Sequence, residues 1–211
     1  MGYWDLRFQC EGRVWGDKPS KTVSYAIKIF REYNIQKILV PGSGYGRNTE
    51  SFARSGFSVF GLEISTIAYR MAVQSSKQKG LTINYSIGDL LNMVYSDEAF
   101  EGVYCFNTLH LFLKKDRMRI VEETFRVLQP NGLAIFTVFS EKDPSFGAGE
   151  EVEPNTFESR RGRPAHYFTE DDLTNHFTSF KILHNKAVFE EENHDPGPHI
   201  HVLRLILAQK L

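Results

Sequence analysis

Through its first two thirds the chain alternates short apolar runs with amphipathic stretches. Residues 37–40 (Lys37-Ile38-Leu39-Val40) are mostly apolar and are stopped by Pro41-Gly42, the pattern of a strand buried on both faces. Residues 48–55 follow as a helix and 57–62 as the next strand. Ser65 is placed to cap a helix that runs to about Lys79 and closes at Gly80, with Ala68, Met71, Ala72 and Gln74 spaced for one face. Further strands are predicted at 81–86 and 102–106. Asp116 is placed to cap a helix through Leu128, ended by Pro130-Asn131-Gly132, and 133–139 is the fifth strand. Upstream, 18–33 has the spacing of an amphipathic helix, preceded by an aromatic-rich segment from Tyr3 to Trp15. Strand and helix alternating at this spacing predict a parallel sheet covered on both faces.

The last third breaks that rhythm. Residues 141–167 hold three Pro or Gly clusters and no periodicity, so they are expected as a long excursion without elements of its own. Excursions of that length inside a compact domain tend to be functional, and this one is expected to cover a binding site. Thr169 is placed to cap a short helix, 170–177. Two alternating strands, 180–190 and 199–209, flank Asn193-His194-Asp195-Pro196-Gly197-Pro198 and form an antiparallel hairpin. The expected fold is α/β and doubly wound: a seven-stranded, mostly parallel sheet with an antiparallel C-terminal hairpin. It is expected as a single domain, 1–211, with an N-terminal aromatic arm at 1–17 and a lid at about 141–167.

Composition narrows the function. Lys plus Arg number 25 against 26 Asp plus Glu, a net charge of -1. That balance argues against a nucleic-acid partner, which would show as a basic excess or stripe. Cys10 and Cys105 stand far apart and in no CxxC pair, so neither a disulfide framework nor a cysteine zinc site is expected, in keeping with a cytoplasmic setting. No apolar run approaches the length of a membrane span, and the start MGYWDLRFQCEG has no charged-then-apolar leader pattern. Neither a membrane nor a nucleic acid is expected as a partner. Aromatics are the one excess, with 17 Phe, 9 Tyr and 2 Trp.

Candidate chemistry begins after the first strand, at Pro41-Gly42-Ser43-Gly44-Tyr45-Gly46-Arg47-Asn48. Glycines there let the backbone turn sharply and let a ligand approach where a Cβ would stand, and the helix that follows offers unpaired N–H groups. A dinucleotide fingerprint, G-x-G-x-x-G, would need glycine at position 47, which is Arg47. The G-x-G-x-G spacing of Gly42, Gly44 and Gly46 suits a smaller carboxylate or amino-acid end, which disfavours a nicotinamide oxidoreductase. Glu63 closes the second strand, where an acid can accept both hydroxyls of a ribose or bond the amides of the next helix. Asp89 follows the third strand, placed to accept from an adenine amino group or to serve a turn.

Glycine loop, Glu63 and Asp89 in that order resemble class I S-adenosylmethionine-dependent methyltransferases, over about residues 20–140. Within that superfamily Tyr3-Trp4-Asp5-Leu6-Arg7-Phe8 with Trp15, and Val59-Phe60-Gly61-Leu62-Glu63-Ile64-Ser65, are most similar to the thiopurine and tellurite-resistance methyltransferase groups. The glycine content of the loop departs from thiopurine enzymes, so a thiopurine-like substrate does not follow. The resemblance implies a Rossmann-like methyltransferase fold and S-adenosyl-L-methionine as cofactor. It implies a cofactor site drawn from Trp4, Trp15, Gly42, Ser43, Gly44, Gly46, Asn48, Glu63, Ile64, Asp89, Leu90, Phe106 and Asn107.

Methyl transfer from a sulfonium is an in-line displacement, so alignment matters more than charge stabilisation, and a base is needed only where the acceptor must lose a proton. His110 can touch the acceptor or orient a water, or it can simply pack within Leu109-His110-Leu111-Phe112. Arg160, Arg161 and Arg163 can hold a polar or anionic acceptor through planar guanidinium forks, or pair with the acidic half of the same excursion. The tellurite-type resemblance places Arg163 and His166 with the substrate. Trp4, Phe8 and Trp15 can fold over the cofactor or pin the arm to the core. His199 and His201 share a strand face near Glu191 and Glu192, and with His194 they read as surface histidines beside a hairpin turn, so no metal is expected. The function expected is methyl transfer to a small molecule: a thiol, chalcogen oxyanion or similar soft nucleophile. An amine or hydroxyl acceptor, or a catalytically silent S-adenosylmethionine-binding module, are the alternatives.

Overall fold

A computed structural model describes residues 2–160, 162–194 and 197–211, with the side chains of 193 and 194 left out. In chain order the elements are α1 (Tyr3–Glu11), α2 (Lys21–Glu32), β1 (Lys37–Pro41), α3 (Arg47–Arg54), β2 (Ser58–Glu63), α4 (Thr66–Gln78), β3 (Asn84–Ile87) and β4 (Phe100–Phe106). After a 3-10 turn at Leu109–Leu111 come α5 (Lys114–Val127), β5 (Leu128–Phe139), β6 (Glu150–Glu153), β7 (Thr156–Arg160), β8 (Arg163–His166), α6 (Glu170–His176), β9 (Lys181–His194) and β10 (Gly197–Gln209). Seven strands form one sheet in the order β3-β2-β1-β4-β5-β10-β9. The first five are parallel, and β10 runs antiparallel to both β5 and β9. This is a doubly wound, Rossmann-like architecture with the expected antiparallel terminal hairpin. None of the described helices is long and apolar enough to cross a membrane.

Side-chain alternation divides the core between the two faces. Ile38 and Val40 of β1, Leu133 and Ile135 of β5, and Leu205 and Leu207 of β10 join a cluster with Val23, Ala26 and Phe30 of α2. Leu39, Ala134, Phe136, Ile206 and Ala208 point the other way, into a cluster with Ile120 and Val127 of α5 and Leu173 of α6. Central strands buried on both sides need such unbroken apolar runs, which is why they are legible in the sequence.

Some boundaries differ from the sequence expectation. Asp116 does not cap α5. The helix begins at Lys114, whose amide N–H donates to the Glu153 carboxylate at 2.9 Å, so the acid that serves this end comes from β6. Residues 141–167 are not an element-free excursion, since β6, β7 and β8 form a separate antiparallel sheet. Its strands are four or five residues long and mostly polar outward, leaving no apolar alternation to detect. The aromatic arm contains helix α1, with Phe8 its one buried residue, stopped by Gly12 at φ 62. Ser65 and Thr169 cap α4 and α6 as expected, accepting from the amides of Ala68 and Asp172.

Candidate active site

The strand order reverses between β1 and β4, and open α/β sheets bind ligands outside the carboxyl ends at such a point. A cavity of about 950 Å3 lies there. Three glycines turn the chain from β1 into α3, each for a different reason. A Cβ at Gly42 (φ +63) would stand 2.5 Å from Thr108 Oγ1. At Gly44 (φ +56) the nearest atom is Phe8 Cζ at 4.0 Å, so its open side faces the cavity beneath α1. At Gly46 (φ +94) the clash is with Tyr85 Oη at 2.6 Å. Gly46, expected among the cofactor residues, is required by packing as well, and the cavity is lined by its neighbours Tyr45 and Arg47.

Glu63 ends β2 on that wall and is 5% exposed. Its carboxylate accepts from the Gly44 N–H at 2.7 Å and the Ser65 N–H at 2.8 Å, bracing the glycine loop and the start of α4 together. Burial pushes its pKa up, against the backbone donors that favour the charged form. Asp89 also lines the cavity and serves a turn, one oxygen accepting from the Leu91 N–H at 3.0 Å. Ser43, Ile64, Leu90, Phe106 and Asn107 line the same space. Asn48 does too, its side-chain oxygen engaged by the Ser20 N–H at 2.9 Å. The Ser43 hydroxyl is buried with no hydrogen-bond partner among the described residues, a polar group facing a polar ligand's space.

The arm closes one side of the cavity. Trp4, Phe8 and Trp15 line it, and Trp15 stacks on Tyr45 at 6.2 Å. The Tyr45 hydroxyl accepts from the Trp15 N–H at 3.0 Å and donates to the Gly16 carbonyl at 2.8 Å. Burial raises its pKa to about 12, so it stays a neutral donor. The arm is thus pinned to the core and faces the cavity at once. Tyr45 was not among the sequence candidates, although its place between two loop glycines is a signal for it.

Across the cavity His110, 2% exposed, stacks on Phe139 at 4.1 Å, and Phe139 stacks in turn on Tyr167 and His201. Burial, then the charges of Arg163 and His201, drives the His110 pKa well below the usual imidazole range, so the ring is neutral. Its Nδ1 and the Nε of Arg163 are buried without a hydrogen-bond partner among the described residues. Arg163 and Arg160 also meet the arm. Burial raises the Tyr3 pKa, but Arg163, with Arg7 and Arg160, outweighs it and leaves the phenol below its usual value.

His166 is not in this group. Its Nδ1 pairs with Thr156 Oγ1 at 2.8 Å and its Nε2 with Asp172 Oδ2 at 2.6 Å, behind the wall. Arg163, Ala165 and Tyr167 face the cavity, so strand parity sends His166 to the opposite side. Arg161 lies outside the described residues.

Sequence reasoning also missed Phe139, Asp143 and Glu192 on the cavity wall and misplaced two histidines. β10 pairs with β5 only from Leu203 to Gln209, so residues 197–202 overhang the sheet edge and carry His199 and His201 over the cavity. Neither is a plain surface histidine. His201 Nδ1 donates to Asp143 Oδ2 at 2.9 Å, and Asp143 follows the carboxyl end of β5, the same edge that supplies the other site residues.

Residues 39–136 match a family model described as a methyltransferase domain. A glycine/sarcosine/dimethylglycine N-methyltransferase from Actinopolyspora halophila is 33% identical over 105 residues, 48% of this chain. The chain spans only 18% of that relative's length. A solved S-adenosylmethionine-dependent methyltransferase from Methanosarcina mazei superimposes with a TM-score of 0.76 at 25% identity, covering 87% of this chain and 97% of that one. TehB from Haemophilus influenzae shares the fold, with a TM-score of 0.70 and 14% identity over 99% of this chain and 67% of that one.

Proposed function

We propose that this chain, in fold and central domain a class I S-adenosylmethionine-dependent methyltransferase, methylates a small polar acceptor held against Phe139, Tyr167 and Arg163. One observation carries the reading. Gly44, Glu63 and Asp89, from three successive strand ends, line the same cavity as His110 and Arg163. About 950 Å3 lies at the upper end of the range for small-molecule sites, which suits a cofactor and an acceptor side by side.

The residues present fit the cofactor. Gly44 leaves space for its amino-acid end beside the first amides of α3. Glu63, with lone pairs beyond those used by Gly44 and Ser65, would accept from the ribose hydroxyls, and the second oxygen of Asp89 from the adenine amino group. Trp4 and Trp15 would exclude water from above. S-adenosylmethionine supplies a methyl on a sulfonium and leaves as a neutral sulfide. The protein's part is to hold nucleophile, methyl and sulfur in line within a low-dielectric wall. Neutral His110 can bond the acceptor through Nδ1 without adding charge near the sulfonium. Arg163 offers its Nε to an anionic or polar group.

A thiol, chalcogen oxyanion or similar soft nucleophile, as in the tellurite-resistance and thiopurine groups, is the leading acceptor class, supported by the aromatic wall. A second reading is an amine acceptor that carries a carboxylate, for which Arg160 and Arg163 form a receptor and which the N-methyltransferase relative favours. The test is incubation with S-adenosylmethionine and a panel of thiols, selenium and tellurium oxyanions, and amino acids, with S-adenosylhomocysteine release as readout. Turnover on the first two supports the leading class. Turnover on amino acids alone selects the second reading. S-adenosylhomocysteine binding without turnover on any of them makes the chain a silent binding module.

A further inference from the structure

We propose that Glu192, His199 and His201 form a binding site for a zinc-class divalent cation on the acceptor side of the cavity. His199 and His201 lie two apart on β10, on one face, and Glu192 of β9 is the register partner of His199. Directly opposed residues in an antiparallel pair have Cβ atoms only about 5 Å apart. One ligand atom from each of the three lies within 4.8 Å of the others.

The orientation of the rings argues for more than proximity. His199 Nδ1 donates to the Gly197 carbonyl at 2.7 Å, and His201 Nδ1 donates to Asp143 Oδ2 at 2.9 Å. Metal-binding histidines are held in this way, one ring nitrogen bonded to a carbonyl or carboxylate so that the other is presented to the ion. In both rings Nε2 is the remaining nitrogen, and the two Nε2 atoms lie within hydrogen-bond distance of each other at 3.0 Å, a contact that a bound cation would replace. Nitrogens bound at about 2.0–2.1 Å in a tetrahedral zinc site are about 3.3 Å apart, so a few tenths of an ångström separate this arrangement from a bound one. Glu192 Oε2 is 3.9 Å from His201 Nε2, within a carboxylate rotation of ligand distance. Its Oε1 is 3.4 Å from Arg47, and Oε2 is the oxygen on the histidine side. Asp143 is fixed by the Val202 N–H and the Ser145 N–H, each at 2.9 Å, so the outer support is itself supported.

Two imidazoles and one carboxylate select zinc or a neighbouring transition ion over magnesium or calcium, which prefer all-oxygen sites. Three protein ligands leave a fourth position open, as in catalytic zinc sites. All three residues line the cavity, so that position faces the acceptor space. Its occupant would be the donor atom of an acceptor such as a thiol or carboxylate. That last step rests on the proposed methyl transfer, whereas cation binding does not.

The test uses the whole chain, stripped with a chelator and titrated with zinc chloride by calorimetry, with metal content measured after dialysis. One equivalent of zinc per chain, undisplaced by magnesium, is expected. His199→Ala and His201→Ala are each expected to weaken binding by at least about 100-fold, and Asp143→Asn, which only orients His201, by about 10–100-fold. Zinc that is not retained, or that binds the double variant His199→Ala/His201→Ala as tightly as the parent, overturns the proposal. Each variant is also melted and titrated with S-adenosylhomocysteine. Zinc loss in a variant that melts and binds S-adenosylhomocysteine like the parent supports the site, and S-adenosylhomocysteine binding without zinc in the parent overturns the cation site alone. Zinc bound by a parent that takes no S-adenosylhomocysteine sinks the methyltransferase reading alone.

Discussion

The two halves of the cavity are built in opposite ways. The glycine-loop half comes from strand ends of one parallel sheet: β1 with its loop, Glu63 ending β2, Asp89 after β3, Asn107 after β4. Each piece sits within a few residues of the strand that positions it. The other half is gathered from the arm, the β6–β8 sheet and the overhanging end of β10, segments up to about two hundred residues apart. The first half can be read from local spacing, and the second exists only once long-range pairing has set which side chain faces which way.

Separate construction implies separable failure. The largest effect is expected at Glu63, whose two backbone partners are bonded by a buried carboxylate. Charge-assisted bonds are worth about 1.5–3 kcal/mol each and about 1.4 kcal/mol is tenfold, so Glu63→Ala is expected to cost S-adenosylhomocysteine affinity about 100-fold or more by calorimetry. Unchanged affinity would remove the carboxylate from the site. Next comes Arg163→Ala, expected to lower kcat/KM for the acceptor by about 10–100-fold, the loss of a charged hydrogen bond, with S-adenosylhomocysteine affinity unaltered. Loss of both together in steady-state and binding assays would show that the halves are not independent.

His166→Ala sharpens the contrast from behind the wall. It is expected to remove two buried bonds and about 1–3 kcal/mol of stability, a fall of several degrees in Tm, while KM for the acceptor stays put. A changed KM at unchanged Tm would return His166 to the acceptor site. The smallest effect is a slope. Burial depresses the pKa values of His110, His166 and His176, so each folded ring resists a proton that the unfolded chain accepts at about 6.5. Their contribution is fully present above that pH and is lost as pH falls from about 6.5 toward the folded values. His110→Phe, which keeps the stack on Phe139, is expected to flatten the acid limb of Tm against pH. An identical limb in the variant would show that His110 is not held neutral.

Sequence reasoning reached the fold through features that are local. Apolar runs marked the central strands, and Ser65 and Thr169 marked helix starts that the structure keeps. It failed where the deciding partner is remote. Asp116 could not be excluded as a cap without Glu153, which stands 39 residues from the amide it serves. His166 was placed with Arg163 because no strand was visible there, and without a strand there is no parity to separate them. Nothing local to Gly46 signals that Tyr85, 39 residues away, packs against it. Glu192, His199 and His201 converge because the hairpin outlasts its pairing with β5, a length difference that neither strand's composition records.

The bond between Glu153 and the start of α5 has a consequence for recognition. The same carboxylate lies 3.5 Å from Arg117, which is almost fully buried and also donates to the Phe112 carbonyl and to His176. The β6–β8 sheet is thereby tied to two helices before any small molecule arrives. A receptor already shaped does not have to be ordered by its guest, and ordering each mobile side chain would subtract about 0.5–1.5 kcal/mol from affinity. An acceptor bound there, as proposed, would be selected by fit to a standing mould, so closely related molecules would be told apart by the shape of their groups.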